Sequence, residues 1–117
     1  MTGERSGTRQ IGPNRMATVI DAADANAITD GMVAAVEGDL GRQFTTGAKV
    51  PGVTTAGKSG TAELGGTGEP HSWFIGFAPA DRPTIAIAVL VEQGGRGADA
   101  AAPIGGALMT RYLKATQ

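Results

Sequence analysis

The sequence predicts an α+β fold in which a three-stranded antiparallel sheet is flanked by an N-terminal and a C-terminal helix. Two segments, residues 24–37 and 99–113, place apolar residues at helical spacing. Between them lie three segments of strand length, residues 53–63, 71–78 and 84–92, and a short turn separates the last two, as in a hairpin. A chain of 117 residues buries enough surface for one core only, so these elements belong to a single domain.

The first helix is expected to follow a polar N-terminal segment. Residues 1–20 are expected to form an irregular or disordered lead, or to include a tag remnant, since they mix Gly, Ser, Thr and Arg with a proline. Asp21 or Asp24 can cap the N-terminus of the helix. Gly38 and Gly41 are predicted to end it, because glycine readily adopts the left-handed conformation that closes a helix.

The three strands and the second helix follow from local composition. Residues 53–63 begin with β-branched side chains, and residues 71–78 contain clustered aromatics, of which Trp73 and Phe74 are assigned to the core. Thr84–Glu92 gives the strongest strand signal, and Asp99 is predicted to cap the closing helix. The predicted inner face of that helix comprises Pro103, Ile104, Leu108, Met109, Tyr112 and Leu113.

The composition excludes several classes of protein. The net charge is −1, from 10 Lys and Arg and 11 Asp and Glu, so no surface for nucleic acid or an anionic membrane is expected. The absence of cysteine and the single histidine argue against disulfides, thiol catalysis and thiolate metal sites, so we expect no metal and no cofactor. No apolar run reaches the length of a membrane span, and no signal peptide is visible.

Two motifs share one lysine. Residues 52–59, GVTTAGKS, match the phosphate-loop pattern GxxxxGK[ST]. That loop needs a buried strand before it and a helix that begins at Lys58. The segment before it is polar and ends in Pro51, and the segment after it is GTAELGGTGEP, which is too rich in glycine for a helix. A nucleotide site is therefore the weakest of the alternatives.

The second interpretation places residues 58–61, KSGT, on a strand. Lys58 and Gly60 then point to one face, with Ser59 and Thr61 on the other or twisted toward the edge. A glycine two residues after a lysine leaves room for a ligand along the strand backbone. Taken alone, this motif does not distinguish a binding site from an ordinary surface strand.

The order of the segments adds specificity. AGKSGTAE, a Gly-rich loop, HSWFIGFAP, TIAIAVLVE and AAPIGGALMTRYL follow one another, and a helix containing MVAAVEG precedes them. This order, over about residues 20–113, resembles the penicillin-binding proteins, and within them the class B transpeptidases that cross-link bacterial peptidoglycan. Their third active-site motif is K-[ST]-G. The resemblance implies an incomplete portion of the β-lactamase/transpeptidase-like fold, with residues 21–117 as the C-terminal portion of the domain.

The resemblance also implies roles for the four motif residues. Lys58 matches the lysine that supports the proton network of the nucleophile and attracts the substrate carboxylate. Ser59 and Thr61 match hydroxyls that bind the carboxylate of a D-alanyl peptide or a β-lactam, and Gly60 matches the glycine that lets substrate approach. The backbone N–H of Thr61 matches one half of the oxyanion hole. His71 is expected to be a strand-edge or loop residue and not a catalyst.

The sequence departs from the family pattern at two motifs. Its serines, Ser6, Ser59 and Ser72, are not followed by the lysine of S-x-x-K or the asparagine of S-x-N. The nucleophile is therefore absent, and we expect this chain by itself to be inactive. In the parent, the partners implied are the peptidoglycan stem peptide and β-lactams.

Three further expectations concern partners, location and alternatives. The N-terminal part of the domain would pair with residues 84–91, and without it this strand could mediate self-association or leave the chain partly unfolded. The implied location is the cell envelope, outside the cytoplasmic membrane. A non-catalytic module that binds a carboxylate ligand or a partner protein and a fragment of a serine β-lactamase remain as alternatives.

Overall fold

The computed structural model describes residue 7, residues 9–39 and residues 45–117 of the chain. Residues 9–20 form neither helix nor strand and are exposed. The elements that follow are helix α1 (Ala22–Glu37), strands β1 (Ala56–Ala62), β2 (His71–Ala78) and β3 (Ile85–Val91), and helix α2 (Ala101–Ala115). One turn of 3-10 helix, Thr46–Ala48, precedes β1. The predicted α+β fold with an antiparallel sheet of three strands is confirmed.

Helix α1 begins at the predicted cap and ends by a different mechanism. The Asp21 carboxylate accepts a hydrogen bond of 2.9 Å from the backbone N–H of Asp24, which satisfies one of the free donors of the first turn. The predicted left-handed geometry of Gly38 is wrong, because its φ of −76° and ψ of 169° are extended. Glycine fits there for a steric reason, since a Cβ would lie 2.5 Å from the Ala34 carbonyl oxygen. Gly41 lies outside the described residues.

Strand β1 is shorter than predicted because the residues before it bond elsewhere. The Thr54 carbonyl accepts a hydrogen bond of 2.8 Å from Ala80. The buried Thr55 donates its N–H to Glu37 at 2.9 Å, and its hydroxyl accepts from Val50 at 3.1 Å. The bond to Glu37 fastens the residues before β1 to the end of α1. Together these bonds keep residues 53–55 out of the hydrogen-bond ladder of the sheet.

The sheet has the order β1-β2-β3, and its antiparallel register defines two faces. Ser59 lies opposite Phe74, and Phe74 lies opposite Val89; because α2 packs against these strands, we call this side the packed face. Successive residues of a strand point to opposite sides, so the other side carries the residues between them. We call it the open face; its central residues are Lys58, Gly60, Trp73, Ile75, Ala88 and Leu90.

The ring of Phe74 is the centre of the packed face. Phe74 is fully buried, as predicted. Its ring fills space that three glycines leave, since a Cβ at Gly57 or at Gly76 would lie 2.6 Å from a ring carbon and one at Gly105 would be closer still. β1, β2 and α2 each contribute one of these glycines, so the ring holds the two strands and the helix together.

The predictions for α2 are correct only in part. Met109 is buried and Leu113 is half-buried against the core, as predicted, whereas the other four residues named for the inner side of α2 are exposed. The buried side of the helix consists of small residues and one methionine, namely Ala101, Ala102, Gly105, Gly106 and Met109. Ile104, Leu108 and Tyr112, which were predicted to be inside, are 43%, 52% and 40% exposed. Small residues allow the helix axis to approach the sheet and the 3-10 turn closely, and larger ones would hold it away. Asp99 does not cap the helix; its carboxylate lies 3.8 Å from the Arg96 guanidinium.

Candidate functional site

The KSG motif lies in the middle of β1, an edge strand of the described sheet. β2 occupies one side of its backbone, so alternate N–H and C=O groups of β1 point toward the free side. The register confirms the alternation expected from the sequence, because Lys58 and Gly60 pair with open-face residues while Ser59 and Thr61 pair with packed-face residues. Because these side chains lie on opposite faces, a single ligand can contact all four residues only along this free edge.

Lys58 provides an exposed cation on the open face. Its Nζ donates a hydrogen bond of 2.6 Å to the backbone carbonyl of Ser59, which turns the ammonium group along the strand. No carboxylate of the described residues forms an ion pair with it. The charge of Lys58 is therefore available to an anionic ligand at the edge of the sheet.

Gly60 leaves space beside that cation. A Cβ at Gly60 would meet a single neighbour within 4 Å, the Cβ of Trp73 at 3.4 Å. The predicted core position of Trp73 is wrong, since this residue is 39% exposed on the open face. The alternation along β2 explains the difference, because only one of two consecutive aromatic residues can face α2.

The two hydroxyls of the motif have different surroundings. Ser59 is half-buried, and no described group hydrogen-bonds its hydroxyl. The Thr61 hydroxyl oxygen accepts a hydrogen bond of 3.2 Å from the backbone N–H of Gly97, in the loop between β3 and α2. Sequence analysis did not identify Gly97, because a contact between residues 61 and 97 leaves no local pattern in the chain.

Ser72 has a structural position that also escaped sequence analysis. It is fully buried, and its hydroxyl accepts a hydrogen bond of 3.0 Å from the N–H of Ala101, the first residue of α2. The same hydroxyl donates to the Arg96 carbonyl at 3.1 Å. A serine from β2 thus caps α2 in the place predicted for Asp99. Both hydrogen-bonding functions are in use, so this serine is not a free nucleophile.

His71 is the first residue of β2, at one end of the central strand. Its Nδ1 accepts a hydrogen bond of 2.9 Å from the N–H of Gln93, which has a positive φ of 49°. An Nδ1 that accepts leaves the proton of the neutral ring on Nε2. The histidine therefore holds the turn after β3 against the start of β2.

The geometry excludes the phosphate-loop interpretation. Such a loop cradles phosphate on the first N–H groups of a helix that begins at the lysine. Lys58 instead lies in the middle of a strand, and no helix is present between β1 and β2. A cation, hydroxyls and free backbone groups along a strand edge suit an extended ligand with a carboxylate.

Comparison with known proteins identifies the family. The sequence profile described as penicillin binding protein transpeptidase domain matches residues 9–110. The chain belongs to this family. A peptidoglycan D,D-transpeptidase PbpA of Mycolicibacterium smegmatis is 41% identical over 112 residues, which cover 87% of this chain and 21% of that protein. PbpA of Mycobacterium tuberculosis is 47% identical over 73 residues, 56% of this chain and 15% of the relative.

Solved structures of penicillin-binding proteins agree with this assignment. Penicillin-binding protein A from M. tuberculosis, as its imipenem acyl-enzyme complex, has a TM-score of 0.66 at 42% identity and covers 80% of this chain. PBP2 from Pseudomonas aeruginosa in complex with WCK 5153 has a TM-score of 0.72 at 36% identity and covers 92% of it. The match spans 20% and 24% of those two chains. The chain therefore corresponds to about a fifth of these penicillin-binding proteins.

Two further findings concern metal ligands and membrane-spanning helices among the described residues. No group of three or more His, Asp or Glu side chains comes together there in a way that would hold a metal ion. Helices α1 and α2, of 16 and 15 residues, are too short to cross a bilayer.

Proposed function

We propose that the chain is the C-terminal portion of a peptidoglycan D,D-transpeptidase domain and that β1 forms one wall of its active site. The observation that carries the proposal is the position of KSG on a free strand edge in a member of the penicillin-binding family. Residues 21–117 make up this portion. The relatives are named as D,D-transpeptidases, and the matches span 15% and 21% of their length.

Each motif residue has a role in this proposal. Lys58 attracts the terminal carboxylate of a D-alanyl peptide or a β-lactam and supports proton transfer near the nucleophile. Ser59 and Thr61 donate hydroxyl hydrogen bonds to the same carboxylate, and Gly60 leaves room for the peptide to lie along the strand. The Thr61 backbone N–H contributes to the oxyanion hole, a contribution of about 3–4 kcal/mol to transition-state stability.

The reaction needs a nucleophile from another segment. In the parent, a serine attacks the carbonyl between the two D-alanines, the terminal D-alanine leaves, and an amine then accepts the acyl group. Neither described serine suits that task, because Ser72 is buried with both hydrogen-bonding functions in use and no described group hydrogen-bonds the Ser59 hydroxyl to activate it. The chain alone is inactive in this proposal.

The partner that completes the site is the N-terminal part of a transpeptidase domain. β3 has no neighbour on its outer side in the described sheet, and the open face exposes Trp73, Ile75 and Leu90. Apolar surface of this kind beside an unpaired edge favours association. In its absence, a second copy of the chain pairs with residues 84–91. The location is the cell envelope, as implied by the family.

A penicillin-labelling experiment tests the function. The intact mass of the chain is measured after incubation with a labelled penicillin, alone and after co-expression with the upstream part of a relative's transpeptidase domain. We expect no adduct on this chain, and we expect the upstream part to become labelled only in the complex. Lys58→Ala in this chain should abolish most of that labelling.

A matched lysine separates the site from general charge effects. Lys49 is also exposed but lies outside β1 and pairs with Glu37 at 3.0 Å. Lys49→Ala should therefore leave labelling of the complex intact. Labelling that is equally insensitive to Lys58→Ala would refute the proposed site. A stoichiometric adduct on the isolated chain would show that Ser59 or Ser72 is a nucleophile and that their assignments are wrong.

A further inference from the structure

We propose that Gly97 and Ser72 are positioning residues for the KSG strand, which fix the Thr61 hydroxyl so that its proton faces the ligand. The inference rests on the proposed function and adds two residues to it from outside the motif. The elements involved are the end of β1, the start of β2 and the loop of residues 92–100 that joins β3 to α2.

The hydrogen bond to Thr61 sets the direction of its hydroxyl proton. The Gly97 N–H donates to the Thr61 hydroxyl oxygen at 3.2 Å, which uses one of the oxygen's lone pairs. No described group accepts the hydroxyl proton in return, and Thr61 is exposed. The hydroxyl therefore offers its proton to whatever lies at the strand edge. A hydroxyl whose proton is free for a ligand suits a carboxylate, which only accepts.

The close approach of the loop requires glycine at position 97. Gly97 is buried, and a Cβ there would lie 2.6 Å from the Trp73 carbonyl oxygen and 2.8 Å from the Gly60 nitrogen, with the Gly60 carbonyl oxygen nearer still. The loop thus lies directly against the backbone of the motif on its packed side. Any side chain would lift the loop and break the bond to Thr61.

Ser72 holds the loop in that place. Its hydroxyl donates to the Arg96 carbonyl at 3.1 Å and accepts from the Ala101 N–H at 3.0 Å. The Gly97 carbonyl accepts from the N–H of Ala102 at 2.9 Å. Ser72 also lies opposite Thr61 in the register of the sheet. The Ser72 hydroxyl therefore fastens the loop and the start of α2 to β2, beside the end of the KSG strand.

Hydrogen exchange of the Gly97 amide tests the contact without a ligand. The full 117-residue chain is labelled with ¹⁵N, and exchange is compared between Thr61→Ser, which keeps the hydroxyl, and Thr61→Val, which removes it. We expect Gly97 exchange about five times faster in Thr61→Val, the loss expected of one ordinary hydrogen bond, and near the unsubstituted rate in Thr61→Ser. Unchanged exchange in Thr61→Val, with the β2 amides still protected, would overturn the positioning role.

A titration with N-acetyl-D-alanine links the contact to recognition. Ser72→Ala should accelerate Gly97 exchange and weaken binding of this carboxylate probe by about fivefold, since the hydroxyl loses its fixed direction. Thr110→Ala is the matched control, because its hydroxyl bonds the Gly106 carbonyl at 2.7 Å within α2, outside the loop; it should change neither quantity. Binding that is unaffected by Ser72→Ala would contradict the inference. If the unsubstituted chain shows no binding of N-acetyl-D-alanine while Thr61→Val still accelerates Gly97 exchange, the proposed function alone would be contradicted.

Discussion

The two faces of the sheet are built from the same three strands and have opposite properties. On the packed face, Phe74 and Ser72 are fully buried, and the Ser72 hydroxyl is hydrogen-bonded. On the open face, Trp73, Ile75 and Leu90 are 39%, 49% and 45% exposed. Residues adjacent in sequence thus differ completely in environment, because the strand period of two separates them.

This difference assigns the two faces different roles, with the packed face stabilising the fold and the open face available for recognition. The packed face obtains its cover from α2, so it stabilises the fold from within the chain. The open face leaves apolar side chains in solvent next to the cation of Lys58. Large exposed apolar patches in proteins mark surfaces that contact other molecules. The face that carries Lys58 is therefore the one we expect to meet the rest of a transpeptidase domain.

The largest expected effect compares neighbours on β2. Phe74→Ala removes the ring that three glycines surround and should lower the free energy of unfolding by about 3–5 kcal/mol. Ile75→Ala removes a side chain that is 49% exposed and should lower the free energy of unfolding by about 1 kcal/mol or less. Chemical denaturation followed by circular dichroism measures both. Equal losses would mean that the open face is covered in solution.

The second effect concerns association through the open face. If a second copy covers Leu90, Leu90→Lys should weaken self-association about tenfold or more, since burying a leucine contributes roughly 1.5–3 kcal/mol. Sedimentation velocity over a concentration series gives the association constant. Ala107→Lys, an exposed position on α2, is the control for added charge. A compact monomer that melts cooperatively at all concentrations would refute self-association through residues 84–91.

The third effect compares two glycines of β1 that face opposite sides. Gly57→Ala brings a Cβ to 2.6 Å from the Phe74 ring, and overpacking of this kind costs about 1–3 kcal/mol. Gly60→Ala meets only the Trp73 Cβ, at 3.4 Å, and should change the free energy of unfolding by about 0.5 kcal/mol or less. Thermal unfolding of the two variants checks the order. A larger loss for Gly60→Ala would show that the open face is packed.

Sequence patterns identified the elements better than they identified the contacts between them. The bounds of β2 agree with the prediction, because its clustered aromatics are a strong local signal. The inner face of α2 was predicted only in part: Met109 is buried as predicted, but a count of apolar residues favours Ile104 and Leu108 over the small residues that permit close packing. The roles proposed for the motif residues came from the resemblance to the penicillin-binding family and stay predictions. Gly97 and Ser72 act through contacts between distant residues, which a single sequence does not display.

The smallest effect on stability should accompany the largest effect on recognition. Lys58 is exposed, and within the fold it donates a hydrogen bond to the adjacent Ser59 carbonyl. Lys58→Met keeps the length of the side chain and removes the charge. The free energy of unfolding should therefore change by about 0.5 kcal/mol or less. Binding of N-acetyl-D-alanine should fall by about tenfold, as expected for loss of a charge-assisted contact to a carboxylate. Denaturation and titration of one variant therefore separate folding from recognition at a single residue. A substantial loss of stability would place Lys58 among the residues that hold the fold, and unchanged binding would remove it from the site.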